Sequence, residues 1–301
     1  PRGVTARALF VGAVAALFIG MAVPYSNMVI KGTVLAHNFS TPAALFVFFL
    51  LVVILNPVLR LAHPRLALER GELAVVYIMA MVATAIPTIG FSEYVLPIIT
   101  GLFYYASPEN QWAQLIHPYV PRWIAPIDAD AIRYFYEGLP AGMSIPWGAW
   151  VVPLSWWCLF IIAYFWVSVC AMVILRRQWL ENEKLLYPLV QVPLEMIQGV
   201  GPNRALNDFF RSPVMWLGFA IPFLIGNVNA LNAYFEFVPR IETFVDMQLF
   251  RGTTYLRLDA NLALIGFAYL LSRDIALGFW GFFLLSTLQR GLFGIVGLQS
   301  T

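Results

Sequence analysis

Long apolar runs alternate along the chain with short polar breaks, and about 20 apolar residues in a row suffice to cross the hydrocarbon of a bilayer. Runs of that kind are Ala8 to Ile30, Thr41 to Leu59, Glu72 to Gly90, Trp147 to Leu175 and Pro213 to Tyr234. A sixth region, Asn261 to Leu288, is interrupted by Ser272-Arg273-Asp274 and predicts two short membrane segments joined by a polar break. The run Leu185 to Ile197 is shorter and carries Pro188 and Pro193, which makes it a candidate re-entrant helix. Proline removes a helix hydrogen bond, and irregular backbone at membrane depth is tolerated only inside protein or beside a cavity. The predicted fold class is all-α: a polytopic transmembrane helical bundle with broken or re-entrant helices, one domain over residues 1–301.

Composition sharpens this picture. Of 301 residues, 60% are hydrophobic and 11% charged, against roughly 25% charged in soluble domains. With a mean hydropathy of +0.76, too much apolar surface remains for water to be the solvent. The 18 basic and 16 acidic residues leave a net charge of +2, which excludes nucleic-acid binding by a basic surface. Cys158 and Cys170 are twelve positions apart in one apolar run, about 18 Å along a helix, so they cannot pair with each other. The Arg2 and Arg7 start lacks a convincing cleavage site after its apolar run, so that run reads as the first span. Beginning at Pro1 and stopping at Thr301 just after an apolar run, the sequence reads as a fragment.

Basic residues in short loops stay on the cytoplasmic side. Arg60, Arg65 and Arg70 mark one such loop, and Arg176, Arg177, Lys184, Arg204 and Arg211 another. Residues 91–146 hold only Arg122 and Arg133 beside Glu93, Glu109, Asp128, Asp130 and Glu137. The N-terminus is then cytoplasmic in the inner (plasma) membrane, and 91–146 is an extracytoplasmic segment. Its tryptophans, tyrosines and prolines predict short interfacial helices and extended pieces that could cover a pathway.

No phosphate loop, dinucleotide motif, HExxH or paired CxxC occurs, and His37, His63 and His117 are scattered over different loops. No cofactor, metal site or enzyme activity is expected. The candidates are polar groups inside apolar segments. Asn27, behind Pro24, either recaps the first span or meets a small polar ligand. Glu93 follows the Pro87 to Gly90 break and is either a proton- or cation-binding carboxylate or an interfacial helix end. Gln191 and Glu195 are four apart on one helical face after Tyr187-Pro188; Glu195 either re-enters the membrane or lies solvated at its surface. Asn229, beside Asn227 and Asn232, is helix glue or part of a polar path. Asp259 precedes the apolar run that Arg273 and Asp274 break.

The stretch Asn182-Glu183-Lys184-Leu185-Leu186-Tyr187-Pro188 resembles a motif at the cytoplasmic end of a substrate-proximal helix in the oligopeptide transporter superfamily. Leu258 to Gly266 with Asp274 to Leu277 is similar to that superfamily's acidic-apolar run. Phe103 to Asn110 and Trp179 to Met196 resemble an uncharacterised bacterial branch. Leu189-Val190-Gln191 departs from the Ser-Gly run of siderophore-transporting relatives, and the chain is about half their length. The resemblance implies the N-terminal half of a proton-coupled importer of small peptides or metal chelates. Asn27, Glu93, Tyr187, Gln191, Glu195, Asn229 and Asp259 are then the pathway candidates. Expected partners are the lipid bilayer, a small-molecule substrate, the C-terminal half of the same protein and a second copy in a homo-oligomer. A non-transporting accessory subunit of a larger membrane complex is the alternative.

Overall fold

The computed structural model describes residues 4–30, 35, 42–87, 92–183, 187–198 and 207–297. His37, residues 88–91 of the expected third-span tip, Lys184, Leu185 and Leu186 of the motif before Tyr187, and Arg204 lie outside the described residues. In chain order the elements are α1 (Ala6–Pro24) running on as a wider π-turn (Tyr25–Ile30), α2 (Pro42–Leu50), a second π-segment (Leu51–Leu55) and α3 (Asn56–Ala62). Next come α4 (Arg70–Ala83), α5 (Ser92–Tyr104), α6 (Trp112–Leu115), α7 (Ala129–Glu137) and α8 (Trp147–Arg177), which continues as Gln178–Asn182. The chain then forms α9 (Pro188–Ile197), α10 (Pro213–Tyr234), the strands β1 (Phe244–Leu249) and β2 (Thr254–Asp259), α11 (Leu262–Tyr269) and α12 (Arg273–Val296).

Five helical stretches among the described residues are long and apolar enough to cross a membrane: Ala6–Ile30, Pro42–Ala62, Trp147–Asn182, Pro213–Asn232 and Arg273–Val296. The expected all-α membrane bundle is the observed class, and among the described residues the antiparallel pair β1–β2 is its one addition. Four of these stretches fall on runs predicted from hydropathy, and the fifth begins at the predicted Arg273 break. The expected third span differs. Its helix α4 ends at Ala83 after 14 residues, about 21 Å and short of the roughly 30 Å hydrocarbon core. Tight turns follow, from Ala85 N–H to Val82 C=O and Ile86 N–H to Ala83 C=O. Pro87 explains the stop, because the residue before a proline avoids helical geometry.

The chain divides into two compact units. In the unit formed by residues 2–49 and 71–185, Ile19 and Val23 of α1, Ala43 and Ala44 of α2 and Ala80 of α4 share one buried core. Small side chains allow helices this close an approach. At Gly12 the approach is closer still, since a Cβ there would run into the Met79 side chain. Residues 92–137 contain the short helices α5, α6 and α7. Asp128 caps α7 by accepting from Ala131 N–H at 2.8 Å, and Tyr136 docks α7 on α5 by donating its hydroxyl to Pro97 C=O at 3.1 Å. Tyr104 stacks on Tyr136 with ring centroids 4.1 Å apart and donates to Glu137. Desolvation, aided by the Glu137 charge, raises the Tyr104 phenol above its ordinary pKa.

The other unit comprises residues 50–70 and 186–301. There the buried amide of Asn56 accepts from Leu68 N–H at 2.7 Å and donates to Leu68 C=O at 3.4 Å, tying α3 to the following loop. β1 and β2 pair in register from Phe244 opposite Asp259 to Leu249 opposite Thr254. Asp246 and Arg257 face each other across the strands in a two-pronged salt bridge at 2.7 Å. The hairpin tip rests on α12 at two of its glycines: a Cβ at Gly291 would overlap the Phe250 ring, and one at Gly294 would come within 2.7 Å of Thr253 Cβ.

Candidate functional site

Two polar constellations stand out, one in each unit. In the first, Pro24 widens the end of α1 into the π-turn that holds Asn27. Glu93 sits in the first turn of α5, where a carboxylate is favoured by the helix dipole. Asn27 Nδ2 donates to Glu93 Oε1 at 3.4 Å. Asn27 Oδ1 is buried and accepts no hydrogen bond from the described residues. Pro97, four residues after Glu93, has no N–H to offer the Glu93 carbonyl. The π-turn that ends α1 and the first turn of α5 therefore bring an amide and a carboxylate together, uniting two of the residues singled out from sequence.

The second constellation is a pocket of about 410 Å³ lined by Gln191, Val192, Leu194, Glu195, Gln198, Phe209 and Leu270. Gln191 and Glu195 lie one turn apart on α9 and Gln198 follows as the residue that ends the helix, so α9 and its C-terminal cap supply a polar wall. Leu270 belongs to the break between α11 and α12. Asn207, 3% exposed, donates to the main-chain carbonyl of Glu195 at 2.5 Å and accepts from Phe210 N–H at 3.3 Å. That amide fixes the last turn of α9 against the segment leading into α10. Sequence reasoning passed over Asn207; its signal was an Asn-Asp pair before an aromatic pair and a Ser-Pro helix start.

The remaining candidates are placed elsewhere. Tyr187 precedes the first turn of α9, and its carbonyl accepts from Val190 N–H at 3.0 Å. Both functions of the Asn229 amide are engaged by Ile241, which donates its N–H at 2.8 Å and accepts at its carbonyl at 3.0 Å. Asn232 donates to Val238 C=O at 2.6 Å. These asparagines pin the loop after α10 to the helix. Asp259 ends β2 and accepts from Thr243 Oγ1 at 3.4 Å.

A buried carboxylate that sequence reading took only as a span boundary is Glu72, 2% exposed in α4. It accepts from Thr5 Oγ1 at 2.5 Å and from Arg7 Nε at 3.2 Å, and pairs again with Arg7 Nη2. Thr5 also caps α1 through Ala8 N–H. The network closes two helix starts on each other and leaves Glu72 compensated. Among the described residues no group of three His, Cys, Asp or Glu side chains is placed to hold a metal ion. His117 instead contacts Leu102 C=O at 2.8 Å.

Five apolar helical stretches of spanning length among the described residues define a multi-pass α-helical membrane protein. The chain belongs to the family of unknown function DUF6785, which it matches over residues 1–301. No curated protein and no solved structure matches it.

Proposed function

We propose that the chain is the N-terminal half of a proton-coupled secondary transporter of small peptides or metal chelates, related to the oligopeptide transporter superfamily. It would lie in the inner membrane with its N-terminus in the cytoplasm. The observation that carries this reading is the Asn27–Glu93 contact at two helix interruptions. An ionisable group within an apolar bundle is costly and is retained where it serves a pathway. Broken helices are also where secondary transporters assemble ion and substrate sites. In this reading Glu93 exchanges the proton, Asn27 partners it, and Tyr187, Gln191 and Glu195 lie near the substrate. No enzyme chemistry or cofactor is invoked. The partners are the bilayer, the substrate, the C-terminal half and a second copy of the chain.

The test is uptake into liposomes holding the full-length protein under an imposed proton gradient, against a panel of small peptides and metal chelates. Gradient-dependent uptake that Glu93→Gln reduces about tenfold or more supports the reading. No uptake of any panel member by folded protein defeats it. The accessory-subunit reading draws on α8, whose most apolar window has no buried residue. Absence of both uptake and ligand-induced stabilisation favours it.

A further inference from the structure

The geometry points to a recognition site for a monovalent organic cation, a primary or secondary ammonium on a small apolar frame, in the pocket beside α9. Glu195 is the one charged side chain that lines it among the described residues. Its carboxylate makes no hydrogen bond or ion pair among the described residues, while its main chain is gripped by buried Asn207. The acid is therefore anchored through its backbone yet open at its oxygens. One carboxylate matches one positive charge. A calcium-like divalent ion asks for six or more oxygen ligands, and among the described residues three side chains with oxygens line this pocket.

The flanking groups narrow the chemistry further. Gln191, one turn before Glu195 on α9, and Gln198, just past the helix end, line the same pocket, and each amide offers a donor and an acceptor. They suit a neutral carbonyl or hydroxyl next to the ammonium. Phe209, Val192, Leu194 and Leu270 make the rest of the lining apolar. An aromatic ring near a carboxylate favours a cation through its π-face as well as the ligand's hydrocarbon part. Among the described residues no Lys or Arg lines the pocket, so an anionic head would meet the repulsion of Glu195 there. The volume of about 410 Å³ falls in the range of small-molecule sites. That this cation is carried across the membrane rests on the transport reading; that the pocket binds it does not.

The experiment is calorimetric titration of the full-length protein in lipid nanodiscs with three probes that each carry the head group two methylenes from a phenyl ring: phenethylammonium, 2-phenylethanol and 3-phenylpropanoate. The expected order is ammonium, then alcohol, with the carboxylate not binding. Glu195→Gln should weaken phenethylammonium about tenfold, the effect of losing one charged hydrogen bond, and leave the alcohol unchanged. Phe209→Leu should weaken phenethylammonium more than butylammonium. Equal affinity for the three heads, tightest binding of the carboxylate, or no binding of phenethylammonium would overturn the assignment. The head-group comparison uses unaltered protein, so it decides the matter even if a variant fails to fold. Ammonium binding without uptake defeats transport and keeps the site; uptake without ammonium binding does the reverse.

Discussion

Asn27 and Glu93 are 66 positions apart in sequence, and their side chains meet at 3.4 Å, one in the π-turn that ends α1 and the other in the first turn of α5. If this pair borders a water-filled path, water-soluble reagents should reach it. In full-length protein without Cys158 and Cys170, both of which are exposed thiols, a cysteine at 93 is expected to react with a charged thiol reagent. A cysteine at Ile162, exposed on the apolar surface of α8, is expected to stay unlabelled in the bilayer. Equal labelling at the two positions, or none at 93, would contradict the path.

Removing Glu72 leaves Arg7 and Thr5 without the acceptor that joins α1 to α4. Glu72 is buried but Arg7 is partly exposed, so the loss is that of hydrogen bonds to a charged group, about 2 kcal/mol, and Glu72→Ala should lower the thermal unfolding midpoint of the purified protein. Combining Arg7→Met with Glu72→Leu should restore most of it. A double variant as unstable as the single one would show that the charges themselves are required.

Across the hairpin, the Arg257 guanidinium holds the Asp246 carboxyl below its ordinary pKa by hydrogen bonding. A lowered folded-state pKa means the contribution is present above the unfolded value and is lost as pH falls through the folded one. Hydrogen exchange of strands 244–249 and 254–259, corrected for intrinsic rates, should lose protection only on acidification below the ordinary aspartate range. Asp246→Asn should remove that acid step; if the step persists, another group controls it.

Gly291 lets the Phe250 ring lie against α12. Gly291→Ala should destabilise this docking by about 1–3 kcal/mol, the usual penalty of overpacking, despite alanine's better helix propensity. Adding Phe250→Ala should relieve the clash. Faster exchange in β1 and β2 of the single variant, reversed in the double, is the measurement.

Hydropathy made α1, α2, α8 and α10 legible because each is one unbroken apolar run. Pro87, Pro188 and Arg273 announced interruptions for the same local reason, that proline and charge do not continue an apolar helix. The break before Glu93 was visible, yet its meeting with Asn27 was not, since that depends on how two helices pack. Glu72 looked like the edge of a span because its partner, Arg7, is 65 residues away. Hydropathy also blurred α4 and the following turns into one run. The hairpin escaped notice although Val245, Met247 and Leu249 alternate with polar residues: two six-residue strands are faint beside helices of twenty. Their cross-strand Asp246–Arg257 match was the available signal. Asn229 showed as an amide in an apolar helix, but its engagement by Ile241 belongs to the loop after α10.

The length of α8 has a consequence for where the protein resides. With its π-turn it spans 36 residues, about 54 Å at 1.5 Å per residue, against roughly 30 Å of hydrocarbon. Even the steepest tilt common in such helices, about 40°, leaves roughly 15 Å of it outside the oily layer. The Arg176 to Asn182 end, which carries the Arg177–Glu181 ion pair, supplies that polar overhang. Hydrophobic mismatch then makes bilayer thickness an input to this protein's energetics, with thicker membranes standing α8 more upright and thinner ones laying it over.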